Sequence, residues 1–516
     1  MNSGLIILLL VIGALTGLSF LGGFTLNGHS FRPVRLYSDL TRGLTNSTDN
    51  FPDDSLLWAQ IKSPARPATV PEAVSETEPE IEPASVPVSA EPAEFQPDST
   101  PAPATDSVIS TIASPIAPIP QPQPAPATGN IPLPTETPAA DSTLRMRRVP
   151  IEDFSEDGSG LSHFFAAIRR REELGRPVRI AFLGDSFVEG DILTSDLREY
   201  LQTLYGGRGV GFVPLAPVDI WRNTVSIEHE GWQTLSSLYR DQSAPYLFGG
   251  QCFTPEAGEA RITVRTTDQR QHAETFNTAS LLYTTAQPAS LVYDLGGSGE
   301  KEAALEPGEG LKLFTATRPG MRRVDFRLLA SEEFTGYGLF LNDETGVCVD
   351  NYALRSASGI QLLRIGANRL AQMNRLVPYD LVILQYGLNV MTPERQEYQT
   401  YTEQMIRVVE RIRQAMPEAD ILIFGIGDRN FKDEAGEMVT GAGLIAFIEA
   451  QRRIAQETGV TFWNTYLAMG GRNSMRAFVD HAPALANKDY THINYLGGRR
   501  IGLSFARSLA EMGEQY

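Results

Sequence analysis

The stretch VRIAFLGDSF, residues 178–187, decides the fold. Val178 to Leu183 is a short apolar run, preceded by the charged Arg171 to Glu173 and followed by a turn. Such a run reads as a parallel strand buried on both faces. A serine directly after it, Ser186, then stands at the carboxyl end of a sheet, where open α/β folds hold their ligands. Gly-Asp-Ser is also ordinary turn chemistry, and alone it would be read as that.

Outward from this strand the pattern alternates. A helix is expected over 161–173, with Phe164, Phe165 and Ile168 on one face, and another over 191–205, with Leu193, Leu197, Leu201 and Leu204 spaced by three and four. Further on, helices are expected over 361–373, 396–416, 444–458 and 494–512. Strands fall between them at 380–385, 421–425 and 460–463. Strand alternating with helix predicts a doubly wound parallel sheet of flavodoxin-like type. Between the two halves, short alternating runs at 261–267, 291–295, 311–315 and 322–329 are separated by Gly, Pro and Asp clusters. They predict an inserted all-β sandwich.

Three further blocks follow the serine. Gly387-Leu388-Asn389 comes after the strand YDLVILQY, residues 379–386, and Asp489-Tyr490-Thr491-His492 lies near the C-terminus. Gly359, in Arg355-Ser356-Ala357-Ser358-Gly359, is the glycine block between them. In this order the chain resembles the SGNH (GDSL-type) ester hydrolases. Together with Asp191-Ile192-Leu193-Thr194 and the glycines of 205–211, it resembles the branch of peptidoglycan O-acetylesterases with an inserted β module. Phe187 and Val390 depart from the usual family residues. The resemblance covers roughly 144–217 and 346–516. It implies Ser186 as nucleophile and the Ser186 and Gly359 amides with the Asn389 side chain as oxyanion donors.

A serine hydroxyl is a poor nucleophile at neutral pH and needs an adjacent base. Six histidines exist. His492 is the candidate, because Asp489 three residues earlier can orient its ring. By itself Asp-x-x-His could equally be a helix N-cap. His481 beside Asp480 is a rival, although adjacent side chains of an extended chain point apart. Asp185 reads as structural. No cofactor and no metal ligand set is expected.

The net charge of −18 is unevenly spread. Between Pro64 and Pro138 stand ten acidic residues against the single Arg66, and 19 of the 34 prolines. That composition predicts a disordered linker, able to span at most roughly 230 Å if extended. Residues 4–24 form an apolar run without charge, expected to be an uncleaved transmembrane anchor because no A-x-A site follows. Arg32, Arg35 and Arg42 behind it would place the C-terminus inside by the positive-inside rule. The resemblance to an envelope enzyme outweighs that count and implies an inner-membrane anchor with a periplasmic catalytic domain. Nucleic-acid binding finds no basic patch to support it. Cys252 and Cys348 could form one disulfide or remain two buried thiols. Trp221 and Trp232 are candidates for sugar stacking or for core packing.

The expected map is therefore an anchor at 4–24, a linker at 25–143, an α/β hydrolase domain at 144–217 and 346–516, and a β-sandwich insert at 218–345. The expected activity is removal of O-acetyl groups from an envelope glycan, O-acetylated peptidoglycan first, through an acyl-enzyme. The alternatives are an O-acetyltransferase with the same triad and a non-catalytic glycan-binding protein.

Overall fold

The computed structural model describes residues 24–26, 29–31, 146–217, 222–239, 243–330 and 333–516. The expected anchor up to residue 23, the linker apart from residues 25–26 and 29–31, and Trp221 lie outside them. Phe24–Leu26 pairs antiparallel with His29–Phe31. Among the described residues no helix is long and apolar enough to cross a membrane.

The α/β domain is built on six strands: β1 (Glu152–Asp153), β2 (Val178–Gly184), β3 (Val347–Ala353), β4 (Leu381–Gln385), β5 (Asp420–Phe424) and β6 (Thr461–Trp463). Their order across the sheet is β3-β2-β4-β5-β6-β1, parallel except for β1 at the edge. Leaving β1 aside, this is the flavodoxin-like order, and the strand sequence reverses between β2 and β4. Every residue of β2, β4 and β5 is buried, as continuous apolar runs require when helices cover both faces.

Helices α1 (Ser162–Arg169), α2 (Thr194–Tyr205) and α8 (Tyr495–Gly513) gather on one face, and α3 (Ala367–Leu376), α4 (Gln399–Ala415) and α5 (Ala442–Thr458) on the other. The helix α8 lies close on the chain leaving the serine loop. A Cβ on Gly498 would meet the Ile192 carbonyl oxygen at 2.0 Å, so only glycine allows that approach. The single helix expected at 361–373 is instead a 3-10 turn, Ile360–Arg364, followed by α3. Gly366, extended at φ −69° and ψ 138°, separates the two. Short helices α6 (Thr465–Met469) and α7 (Ser474–Asp480) lie in a stretch with no sequence expectation.

The insert is two antiparallel sheets. One orders Gly308–Met321, Phe276–Thr285, Phe334–Asn342, Gln251–Pro255 and Trp232–Ser236 side by side; the other orders Lys301–Leu305, Ala289–Leu295, Arg323–Leu329, Glu259–Thr266 and Val225–Glu230. Alternate residues Ile262, Val264, Val324, Phe326 and Leu328 share one core with Phe253, Phe276, Leu281, Phe334 and Leu339 of the facing sheet. Trp232 packs on the rim of that core and donates its Nε1–H to the Arg261 carbonyl at 3.0 Å.

Gly211–Val213 pairs with Leu339–Leu341, so the β-rich part begins ahead of residue 218. At the junction, Arg179 of β2 pairs with Asp350 of β3 at 2.8 Å, and Asp350 also accepts from the Phe212 amide and the Tyr379 hydroxyl, each at 2.8 Å. Cys252 and Cys348 are both free and buried, so the disulfide alternative does not hold. Cys252 sits in a sandwich strand, whereas the Cys348 sulfur in β3 faces Arg179 at 3.4 Å. Burial pushes both thiols up to about 12.

Candidate active site

The strand β2 ends in a tight turn. Asp185 is fully buried and its Oδ1 accepts the Phe187 amide at 3.0 Å, which holds the chain in a bend at Ser186. Ser186 is 7% exposed. Its Oγ lies 3.0 Å from His492 Nε2. On the other side of the ring, His492 Nδ1 stands 2.7 Å from Asp489 Oδ2. With Nδ1–H donating a hydrogen bond to the carboxylate, Nε2 carries the lone pair and accepts a hydrogen bond from the serine hydroxyl.

Local structure explains how three residues of separation suffice. Tyr490 adopts a left-handed φ of 56°. This curls the loop so that Asp489 Oδ1 accepts the amides of Thr491 (2.9 Å) and His492 (3.0 Å) while Oδ2 faces the ring. Burial alone would push the Asp489 carboxyl up, but the hydrogen bond and charge of His492 and these two amides hold it below the usual range. Helix capping, the competing role for Asp489, is performed by Asn494, whose side chain accepts from the Leu496 and Gly497 amides. His481 is engaged elsewhere: its Nδ1 meets the Pro483 carbonyl at 2.7 Å and its Nε2 meets Arg500 at 3.3 Å.

Asn389 and Gly359 come together beside the serine loop. The Asn389 Nδ2 donates to the Ala357 carbonyl at 3.1 Å. The chain from 354 onward is hung on β2 by the Leu354 amide, which donates to the Gly184 carbonyl at 2.9 Å. Gly359 has φ 88°, and a Cβ there would meet Met405 Sδ and Tyr386 Cδ2, both at 2.9 Å. Conformation and space both call for glycine at this point.

Two ion-pair networks around the serine escaped the sequence reading, although Asp191 and Arg355 stand in its motifs. Glu189, buried, receives the Arg355 guanidinium, with Nε at 3.1 and 3.0 Å from its two oxygens. This pair ties the serine loop to the 355–359 loop. Asp191, fully buried, binds Arg222 at 2.8 Å and Arg198 at 3.3 Å, and also accepts from Thr194 and Thr224. Burial would raise its pKa, and the two guanidiniums overcome that and hold the carboxyl far below the usual range. Arg222 belongs to the approach to the sandwich. Thr194 and Arg198 are near Asp191 in sequence, but Arg222, Thr224 and, for Glu189, Arg355 are distant, and no local spacing marks them. Among the described residues no group of His, Cys, Asp or Glu is placed to hold a metal.

Residues 329–500 match the model of the GDSL-like Lipase/Acylhydrolase family. That stretch holds Gly359, Asn389, Asp489 and His492, and excludes Ser186, which precedes the sandwich. Among solved structures the chain is similar to a peptidoglycan O-acetylesterase, at 23% identity over 71% of this chain and 99% of that one, with a TM-score of 0.58. It also matches a family two carbohydrate esterase from Cellvibrio japonicus, at 9% identity over 56% of this chain and 99% of that one, TM-score 0.25. A third match is an acetyl xylan esterase, at 11% identity over 30% of this chain and 78% of that one, TM-score 0.24. No curated protein matches by sequence. Over residues 329–500 the chain is similar to the GDSL-like lipases and acylhydrolases.

Proposed function

We propose that this chain is a serine esterase that removes O-acetyl groups from an envelope glycan, with O-acetylated peptidoglycan as the first substrate. The observation that carries the reading is the relay from Ser186 Oγ through His492 to Asp489. As Oγ attacks the acetyl carbonyl, His492 Nε2 takes its proton and Asp489 stabilises the imidazolium. Negative charge gathers on the former carbonyl oxygen. The Ser186 and Gly359 amides and the Asn389 amide group are the donors assigned to it, and one such donor is worth about 3 kcal/mol. The imidazolium then protonates the departing sugar oxygen, leaving an acetyl ester on Ser186. Water, activated by the same imidazole, hydrolyses that ester and releases acetate.

The choice of glycan rests on the likeness to the peptidoglycan O-acetylesterase structure, which spans 99% of that chain and 71% of this one. The roles of Ser186, His492 and Asp489 rest on the geometry of their relay, and the three oxyanion donors rest on the resemblance. An inner-membrane anchor at 4–24 and a linker to residue 143 would place the enzyme on the periplasmic side, within reach of that polymer. The test is to incubate the protein with O-acetylated peptidoglycan, with and without an acceptor glycan, and to follow acetate. Ser186-dependent release of free acetate supports the reading. Acetyl groups found on the acceptor instead would make the protein a transferase, and no turnover at all would leave only a glycan-binding role.

A further inference from the structure

We infer that Arg429 is a positioning residue of the catalytic site, holding the Asn389 and His492 loops in register; this rests on the esterase reading above. Its guanidinium reaches both loops at once. One amine, Nη1, donates to the Leu388 carbonyl at 2.9 Å, and Nε donates to Thr491 Oγ1 at 3.1 Å. Leu388 immediately precedes Asn389, and Thr491 immediately precedes His492. A single planar group thus fixes the neighbour of the oxyanion donor and the neighbour of the base relative to each other.

The platform under Arg429 is rigid. Asp428, fully buried, accepts the Met475 amide at 2.9 Å, the Thr440 hydroxyl at 2.8 Å and Asn430 Nδ2 at 3.1 Å. Asn430–Lys432 pairs with Met438–Thr440 as a small hairpin. From it Phe431 lies beneath the guanidinium, 4.9 Å from ring centre to Cζ. The Asn430 amide adds a backbone bond to the Tyr490 carbonyl at 3.1 Å. The arginine is therefore held at its base, at its face and at two of its nitrogens. Lysine has a single ammonium and no planar fork, so it cannot reproduce two divergent bonds of this kind.

A displacement of about 1 Å between reacting groups can cost on the order of 100-fold in rate. A residue that sets register alters the chemical step and leaves ground-state binding nearly intact. The experiment measures kcat and KM of the full chain for 4-nitrophenyl acetate, beside Ser186→Ala and with Tm for each variant. Arg429→Ala should lower kcat about 100-fold and change KM less than about twofold. Arg429→Lys should recover little of that loss. Thr491→Val should lower kcat about fivefold in the wild type and by clearly less in Arg429→Ala, because the two changes share one contact, while Thr491 Oγ1 also donates to the Asp489 carbonyl at 3.2 Å.

A folded Arg429→Ala with wild-type kcat overturns the inference, as does a raised KM with kcat intact. If Arg429→Ala does not fold, a Thr491→Val variant with full kcat overturns it equally. Wild-type hydrolysis that persists in Ser186→Ala would instead bring down the esterase reading itself.

Discussion

The sandwich and the parallel sheet both enclose apolar cores, but they treat charge in opposite ways. The sandwich keeps its ion pairs outside. Arg261 with Glu230 and Arg265 with Glu228 lie across neighbouring strands on its outer face, with side chains well exposed. The α/β domain buries its charges where it meets the insert. Arg179 with Asp350, and Asp191 with Arg198 and Arg222, are almost without solvent contact. A surface pair is worth about 0–1 kcal/mol, whereas a buried ion left without its partner costs about 3–5 kcal/mol. Rigidity is thus concentrated at the junction, under the loop that carries Ser186, and the outer sandwich face is left to tolerate change.

The largest stability effect is expected at the junction. Asp191→Ala strands two buried guanidiniums and should cost about 3–5 kcal/mol in urea unfolding. It should also lower esterase activity, because Asp191 anchors the chain leaving the serine turn. A loss below about 1 kcal/mol would mean that the buried network is not the stiff part of the molecule.

A smaller effect, with a distinctive pH dependence, is expected at Asp185. Burial pushes its carboxyl up to about 7, against the pull of the Phe187 amide, His492 and the Gly387 amide. An unfolded aspartate titrates near about 3.9. Between those values the folded protein holds a proton that the unfolded chain has released, so wild-type stability falls as pH rises from about 4 to about 7. Asp185→Asn keeps an oxygen for the Phe187 amide and carries no charge. Its Tm relative to wild type should therefore rise across that window; a difference that stays flat from pH 4 to pH 8 would contradict the assignment. The smallest effect belongs to the sandwich exterior: Arg261→Ala should leave Tm and kcat unchanged within error, and a drop of several degrees would erase the contrast between the two regions.

The same contrast decides what the sequence discloses. Strands β2, β4 and β5 are buried on both faces and announce themselves as apolar runs. The strand β3 is equally buried but spells VCVDNYA, with Asp350 and Asn351 spent on the junction network, so its period is hidden. In the sandwich, Glu259–Thr266 and Arg323–Leu329 alternate cleanly, having one wet face. The central strand Phe276–Thr285 is covered almost throughout, mixes Thr, Ala and Ser with its Leu residues, and gives no such signal. Ser186, Asp489 and His492 are legible because each sits in a short motif with local geometry. Glu189, Arg355, Arg222 and Arg429 act across long loops, and nothing in their immediate neighbours reports it.

The central claim is that His492 and Asp489 activate Ser186. A fluorophosphonate reacts covalently with such a serine in proportion to its nucleophilicity, so the direct measurement is the intact mass of the labelled protein followed by the labelled peptide. The wild type should gain one adduct, on the peptide containing Ser186; Ser186→Ala should gain none, and His492→Ala should label far more slowly than Asp489→Asn. Equal labelling of wild type and Ser186→Ala, or an adduct on another residue, would contradict it.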